Sequence, residues 1–365
     1  MTTPSALLDL IFLPWHGYKH IFVTATSTGT LTFYTLTPEP TPHINHIYTH
    51  QSTATSILLT DLEAHPNITG LVGYVTSSGL VSILRFNPDL LLSSNEINGD
   101  VLHNLVRYHH STPCADEGFE AWTLAFAPSP SSADAERTVG VYTGSDDSTL
   151  RRLDFVLADG STHSVPKRIS ESSDDINSFS SSSSDDNEGE GTDSATLKIL
   201  DRRSHSAGVV SILPLTLPFN SSSSLTTNGE VILTGSYDDH LRLLHRSSNS
   251  LTPQVRNTVL AETDLGGGVW RLRLMDETHG ESSEWVVLAS CMHAGARLVR
   301  IRRSVGGSWT IEVLARFEEH KSMNYGSDVQ PSRGLGDGME GRMRTVVSTS
   351  FYDRLMCLWR VEVDC

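Results

Sequence analysis

A strand, a tight turn and a second strand recur along this chain, and a unit repeated in this way limits the fold more than any other feature of the sequence. Copies run over 20–36, 71–86 (LVGYVTSSGLVSILRF), 139–155 (VGVYTGSDDSTLRRLDF), 231–245 (VILTGSYDDHLRLLH), 286–301 (VVLASCMHAGARLVRI) and 345–360 (TVVSTSFYDRLMCLWR). In each copy apolar residues alternate with small or polar ones at the two-residue period of a strand, and turn formers separate the two runs. Taking Thr28, Ser78, Asp146, Tyr237, His293 and Tyr352 as equivalent turn positions gives separations of 50, 68, 91, 56 and 59 residues. Insertions in loops stretch a shorter underlying period of roughly 40 to 50 residues.

Such hairpins bury their apolar faces by stacking, and stacking in a ring also protects the sheet edges. The expected fold is therefore all-β, a β-propeller of the WD type with six countable repeats; a seventh blade is expected from the first fifteen residues and weakly patterned segments. Residues 203–212 (RSHSAGVVSI) resemble the Gly-His loop that leads into an inner strand, and Cys357-Leu358-Trp359-Arg360 resembles the Trp-Asp ending. His205 and Asp238 are expected in one hydrogen-bond network that locks a blade. A single propeller over 1–365 is expected, carrying two loops without fixed structure: an acidic, serine-rich stretch 169–195 and a polar run 220–229.

Charge narrows the function classes. The chain has 43 Asp and Glu against 27 Lys and Arg, a formal −16, and half of that excess lies in 169–195. Nucleic acids and anionic lipid surfaces both need a basic footprint, so neither is an expected partner. Four cysteines without CxxC spacing suit a reducing compartment. With no run of eighteen apolar residues, a cytoplasmic, monomeric protein is expected. His43, His46 and His50 do not suggest a metal, because alternation along a strand puts His43 and His46 on opposite faces.

None of the usual catalytic fingerprints is present: no GxSxG, P-loop or HExxH, and no Gly-rich strand-turn-helix segment for adenosylmethionine. No cofactor is expected. In a propeller, the loops leading into inner strands and the turns after second strands lie at one end of the ring. That brings Glu120, Trp122, His205, Asp238, 266–271 (GGGVWR), Cys291, His293 and 324–328 (NYGSD) towards one channel mouth. His293 stands in a turn where other blades have Asp, and an imidazole titrating near neutrality suits a general base. Cys291 is a candidate nucleophile beside it, with a buried structural thiol as the other reading. Glu120, Asp238 and Asp328 are candidate acids or orienting carboxylates, whereas Asp147 and Asp353 are assigned to turn structure.

In order, FEAW, VYTGSDD, SHSAGVVSI, TGSYDDHLRL, GGGVWRL, ASCMHAG, YGSDV and SFYDRLMCLW resemble the diphthine methyl ester hydrolases, a WD-repeat family also called diphthine methyltransferases, over 119–360. The resemblance implies removal of the methyl ester from methylated diphthine on a modified histidine of eukaryotic elongation factor 2. It also implies a quaternary ammonium on the substrate, for which Trp122, Trp270 and Tyr325 are the natural aromatic cage. His293 then acts as base on water, Glu120 or Asp238 orients it, and the N–H groups of 266–268, Gly267 and Gly268 among them, or the Arg271 guanidinium face the oxyanion. A non-catalytic adaptor docking elongation factor 2 or another protein on the same face is the alternative.

Overall fold

A computed structural model describes residues 4–37, 43–92, 105–128, 138–157, 195–217, 229–247, 256–329 and 343–363. The first blade holds β1 (Leu7–Phe12), β2 (Ile21–Thr26), β3 (Thr30–Thr37) and β4 (His43–Gln51). The second holds β5 (Leu59–Ala64), β6 (Leu71–Thr76), β7 (Leu80–Phe86) and β8 (Val106–Pro113), with the short helix α1 (Asp89–Leu92) after β7. The third contains β9 (Ala121–Phe126), β10 (Thr138–Ser145), β11 (Leu150–Val156) and β12 (Ala195–Asp201). Blade four is β13 (Val209–Leu215), β14 (Gly229–Ser236), β15 (His240–Ser247) and β16 (Arg256–Asp264); blade five is β17 (Arg271–His279), β18 (Ser283–Ser290), β19 (Ala296–Arg303) and β20 (Trp309–Phe317). Blade six has three described strands, β21 (Gly326–Val329), β22 (Met343–Thr349) and β23 (Met356–Glu362).

Every sheet is an antiparallel meander in sequence order, and the six hairpins read from the sequence are the second and third strands of the six blades. The inner strands β1, β5, β9, β13, β17 and β21 pack one against the next around a channel. The propeller reading holds, with one correction. The first residues do not start a seventh blade: β1 pairs with β2, Leu10 opposite Thr24 and Phe12 opposite Phe22, as the inner strand of blade one. Among the described residues there are six blades. Residues 169–194 and 220–228 lie outside the described set, and the expectation of unstructured loops there stops at Ala195 and Gly229, which already open β12 and β14. Among the described residues no helix is long and apolar enough to cross a membrane.

The core lies between neighbouring blades, where the apolar side chains of facing sheets meet. Phe33, Tyr74 and Phe86 are buried with Leu59 and Leu62 between blades one and two, and Phe33 meets Phe86 edge to face with ring centres 5.1 Å apart. Between blades four and five, Leu233, Leu243, Val269, Val287 and fully buried Trp285 form the equivalent layer, and Trp285 stacks on Trp309 at 5.6 Å. Burying each such side chain contributes about 1.5 to 3 kcal/mol.

The devices that lock the turns differ between blades. In blade six His320 Nε2 lies 2.8 Å from Ser348 Oγ, and Trp359 Nε1 donates to the same oxygen at 3.0 Å. Blades three and four use arginine instead. Arg151 donates to Asp147 and to Asp116, while Arg242 donates through Nη1 to both oxygens of Asp238 at 2.9 Å. A guanidinium four residues after the turn aspartate thus ties the turn down from within the sheet.

Candidate functional site

At the end of the ring where inner strands begin, six aromatic side chains from four blades form a continuous chain of ring contacts. Trp122, the second residue of β9, meets Trp270 at 5.3 Å between ring centres. Trp270, immediately before β17, also meets Tyr237 from the blade-four turn at 5.8 Å and Tyr325, just before β21, at 4.9 Å. Tyr325 continues to Phe351 at 5.8 Å and Phe351 to Tyr352 at 5.1 Å, both on the blade-six turn. Trp122, Tyr237, Trp270 and Tyr325 are half-buried, whereas Phe351 and Tyr352 are 64% and 71% exposed. The structure therefore brings together the three aromatics singled out from the sequence and adds Tyr237, visible in the sequence only as a repeat position.

Strand register explains the addition. The ladders close at Gly144 opposite Leu150, Gly235 opposite Leu241 and Ser290 opposite Ala296. The loops 145–149, 236–240 and 291–295 are therefore equivalent, and their second residues are Asp146, Tyr237 and Met292. All three belong to the mouth: Asp146 Oδ1 and the Tyr237 ring flank Gly208, and Gly268 sits between the Met292 sulfur and Tyr237. The third residues are Asp147, Asp238 and His293. The equivalence of Asp146, Tyr237 and His293 read from the sequence is thus one residue out for blades three and four.

Two carboxylates face the aromatic group from blade three. The Asp146 N–H donates to the Glu120 carbonyl oxygen at 3.0 Å, which holds the two residues side by side. Burial raises the Glu120 carboxyl above its ordinary range, and the Asp146 charge adds to the effect. The Tyr237 phenol is raised by burial and then by the charges of Asp146, Tyr325 and Glu120, so all four lie within electrostatic reach of one another.

Beneath the mouth, the inner strands carry buried charge into the channel. Arg271 lies 3.3 Å from Asp9 and 3.3 Å from Asp61, and so bridges β17 to β1 and β5. The same carboxylates accept backbone N–H groups from neighbouring blades, Asp9 from Leu62 at 3.1 Å and Asp61 from Leu124 at 3.0 Å. Glu63 stands in the same channel; burial lifts its carboxyl to about 7, against the lowering effect of Arg273. Burial also pushes Asp61 well above the carboxylate range, with Arg271 opposing it.

Several sequence candidates have other tasks. Cys291 is completely buried in the core layer between blades four and five, and burial pushes its thiol up to about 12; it is a packing residue, not an activated nucleophile. Both oxygens of Asp238 accept bonds from Arg242, and Ser206 N–H and His240 N–H complete its shell. Burial opposes ionisation there, but these donors outweigh it and hold the carboxyl below its usual range. His205 bonds Thr234 Oγ1 at 2.9 Å and not Asp238; the two act in one blade through separate contacts. Burial first, then Arg242, lowers its imidazole to about 4. Arg271 is engaged with Asp9 and Asp61. Gly267 and Gly268 are explained by packing: a Cβ on Gly267 would come within 2.4 Å of the Cys291 carbonyl oxygen, and one on Gly268 within 2.6 Å of the Met292 sulfur. His293 is exposed on the blade-five turn, and Asp328 is exposed at the edge of β21. No group of three or more metal-ligating side chains occurs among the described residues.

No protein-family profile matches the chain. A segment of 156 residues, 42% of this chain and 38% of the relative, is 36% identical to the protein named diphthine methyltransferase of Schizosaccharomyces pombe. The protein of that name in Saccharomyces cerevisiae is 30% identical over 167 residues, 44% of this chain and 38% of the relative. The Homo sapiens protein of that name is 32% identical over 98 residues, 27% of this chain and 19% of the relative. The matches thus span less than two fifths of these relatives. A solved structure, that of Saccharomyces cerevisiae Sqt1, superposes with a TM-score of 0.49 at 11% identity, covering 98% of this chain and 84% of that one.

Proposed function

We propose that this protein acts in diphthamide biosynthesis as a hydrolase that removes the methyl ester from methylated diphthine on elongation factor 2. The observation that carries the reading is the aromatic group centred on Trp270, with Glu120 and Asp146 beside it. Aromatic faces attract a quaternary ammonium through the negative charge of their π faces, and neighbouring carboxylates add to that field. The named relatives supply the substrate class; the mouth supplies side chains suited to its cationic group.

In this reaction a water oxygen adds to the ester carbonyl carbon while a base takes one of the water protons. The tetrahedral intermediate then collapses, the bond to the methoxy oxygen breaks, and methoxide leaves as methanol with the proton held by the base. A carboxylate and one proton released to solvent complete the balance. Glu120 is the first candidate base, because it stands beside the aromatic group and burial, with the Asp146 charge, raises its proton affinity above that of an ordinary carboxylate. His293 is the second candidate, placed on the neighbouring rim.

The test is to incubate purified protein with elongation factor carrying methylated diphthine and to follow the intact mass. Loss of the ester methyl as methanol, without any added cosubstrate, supports hydrolysis. Glu120→Gln and His293→Ala then separate the two candidate bases. The exposure of Phe351 and Tyr352 beside the mouth favours protein docking and keeps the adaptor reading in view. Stable binding of the factor with unchanged mass would decide for the adaptor.

A further inference from the structure

Inner strands pack pairwise from β1 round to β21, and between β21 and β1 lies a cleft of about 430 Å³. Leu8 and Leu10 form one wall and Tyr325 the other, while Trp270, Arg271 and Arg273 of blade five line it as well. The same three residues line the narrow channel cavity, so mouth, cleft and channel meet on one strip of β17. Arg271 and Arg273 are two residues apart on a strand and share a face, but their surroundings differ. Asp9 and Asp61 occupy Arg271. Arg273 has no ion-pair partner within 4 Å among the described residues, and Glu63 reaches it only through the longer-range field.

Asp9 and Asp328 line the cleft too, and Glu63 lies within electrostatic reach, but none of them ion-pairs with Arg273, and a half-buried guanidinium whose N–H groups no carboxylate occupies can receive a planar oxygen anion through two parallel N–H bonds. An aromatic group that holds a quaternary ammonium lies three residues earlier, at Trp270. We propose that Arg273 is the oxygen-binding half of the site, so that the cleft takes ligands carrying a quaternary ammonium next to a carboxyl group. The inference deepens the proposed function and rests on it: Arg273 faces the ester carbonyl, donates N–H bonds to its oxygen as that oxygen takes up the π electron pair when water adds, and holds the carboxylate once methanol has left. Because negative charge develops on that oxygen during the reaction, the contact strengthens towards the transition state and accelerates the step. The same guanidinium repels a bare quaternary ammonium, which gives the cleft its selectivity.

The experiment is calorimetric titration of the full-length protein with glycine betaine and with tetramethylammonium. The wild-type protein should bind glycine betaine about tenfold or more tighter, a ratio typical of one charge-assisted contact. In Arg273→Gln the two probes should bind within about twofold of each other, with the tetramethylammonium affinity equal to or above wild type, and Arg273→Lys should restore part of the preference. Thermal melting of each variant checks that the fold persists. Equal affinities in the wild-type protein, or a preference that survives in Arg273→Gln, would overturn the assignment without touching the aromatic site. If neither probe binds the wild-type protein, the cage reading falls and takes this inference with it.

Discussion

Replacing Trp270 by Ala removes the one ring that touches Trp122, Tyr237 and Tyr325 together, at centre distances of 5.3, 5.8 and 4.9 Å. Each aromatic face contributes about 0.5 to 2 kcal/mol to holding a cation, with the upper part of the range where water is excluded. Trp270 is half-buried, so a loss of about 1 to 2 kcal/mol follows, a weakening of roughly 5- to 30-fold in Kd for tetramethylammonium. The variant also loses three ring pairs, each contributing about 0.5 to 1.5 kcal/mol, so its melting temperature should fall. Trp270→Phe keeps a face in place and should recover part of both losses. Titration followed by intrinsic fluorescence and by calorimetry measures the affinities. An unchanged Kd in a folded Trp270→Ala protein would refute the reasoning, because the central ring would then take no part in the site.

Further consequences follow from the channel and the locks. Arg271→Met leaves Asp9 and Asp61 without their common cation and should cost about 3 to 5 kcal/mol in denaturant unfolding; adding Asp9→Asn and Asp61→Asn should return much of that loss. Glu63 has its folded-state pKa raised from 4.5 to about 7, so the folded state binds its proton more tightly than the unfolded chain does. The stability it contributes is therefore complete below pH 4.5 and lost as pH rises towards 7. Glu63→Gln should flatten that slope in denaturant titrations repeated across the range. Cys291→Ala should leave ester hydrolysis intact and lower stability only, whereas abolished turnover in a folded variant would return the thiol to the mechanism. Trp359→Phe keeps the stack on Phe317 but removes the bond to Ser348, and should cost about 1 kcal/mol in thermal or denaturant melting.

The sequence carries the hairpins openly because alternation and turn residues are local signals, and each of the six copies folds as its own text predicts. Other features depend on pairing that local text does not contain. The strand β1 has five apolar residues and a single Asp without clean alternation, which reads as a weak pattern; only its partner β2 and the distant Arg271 explain Asp9. Arg271 and Asp61 stand 210 residues apart, so nothing near either one marks the other as its counter-ion, and Arg271 looked free for substrate. Cys291 illustrates the reverse case, since its place in an apolar run already predicted burial. Tyr237 and Asp146 were visible as repeat positions, yet their turn to the mouth became clear only from the ladder register. The small residues of 266–268 suggested an anion-binding loop, while the blade-five turn pressing on them, with the Cys291 carbonyl against Gly267 and the Met292 sulfur against Gly268, is the physical reason for two of the three glycines.

A crystal structure with a bound trimethylammonium ligand tests the central claim most directly. The account predicts the cationic head between Trp122, Tyr237, Trp270 and Tyr325, with a carboxyl group, where the ligand carries one, turned to Arg273. A head bound elsewhere on the ring, or an undisturbed mouth in crystals saturated with the ligand, would contradict it.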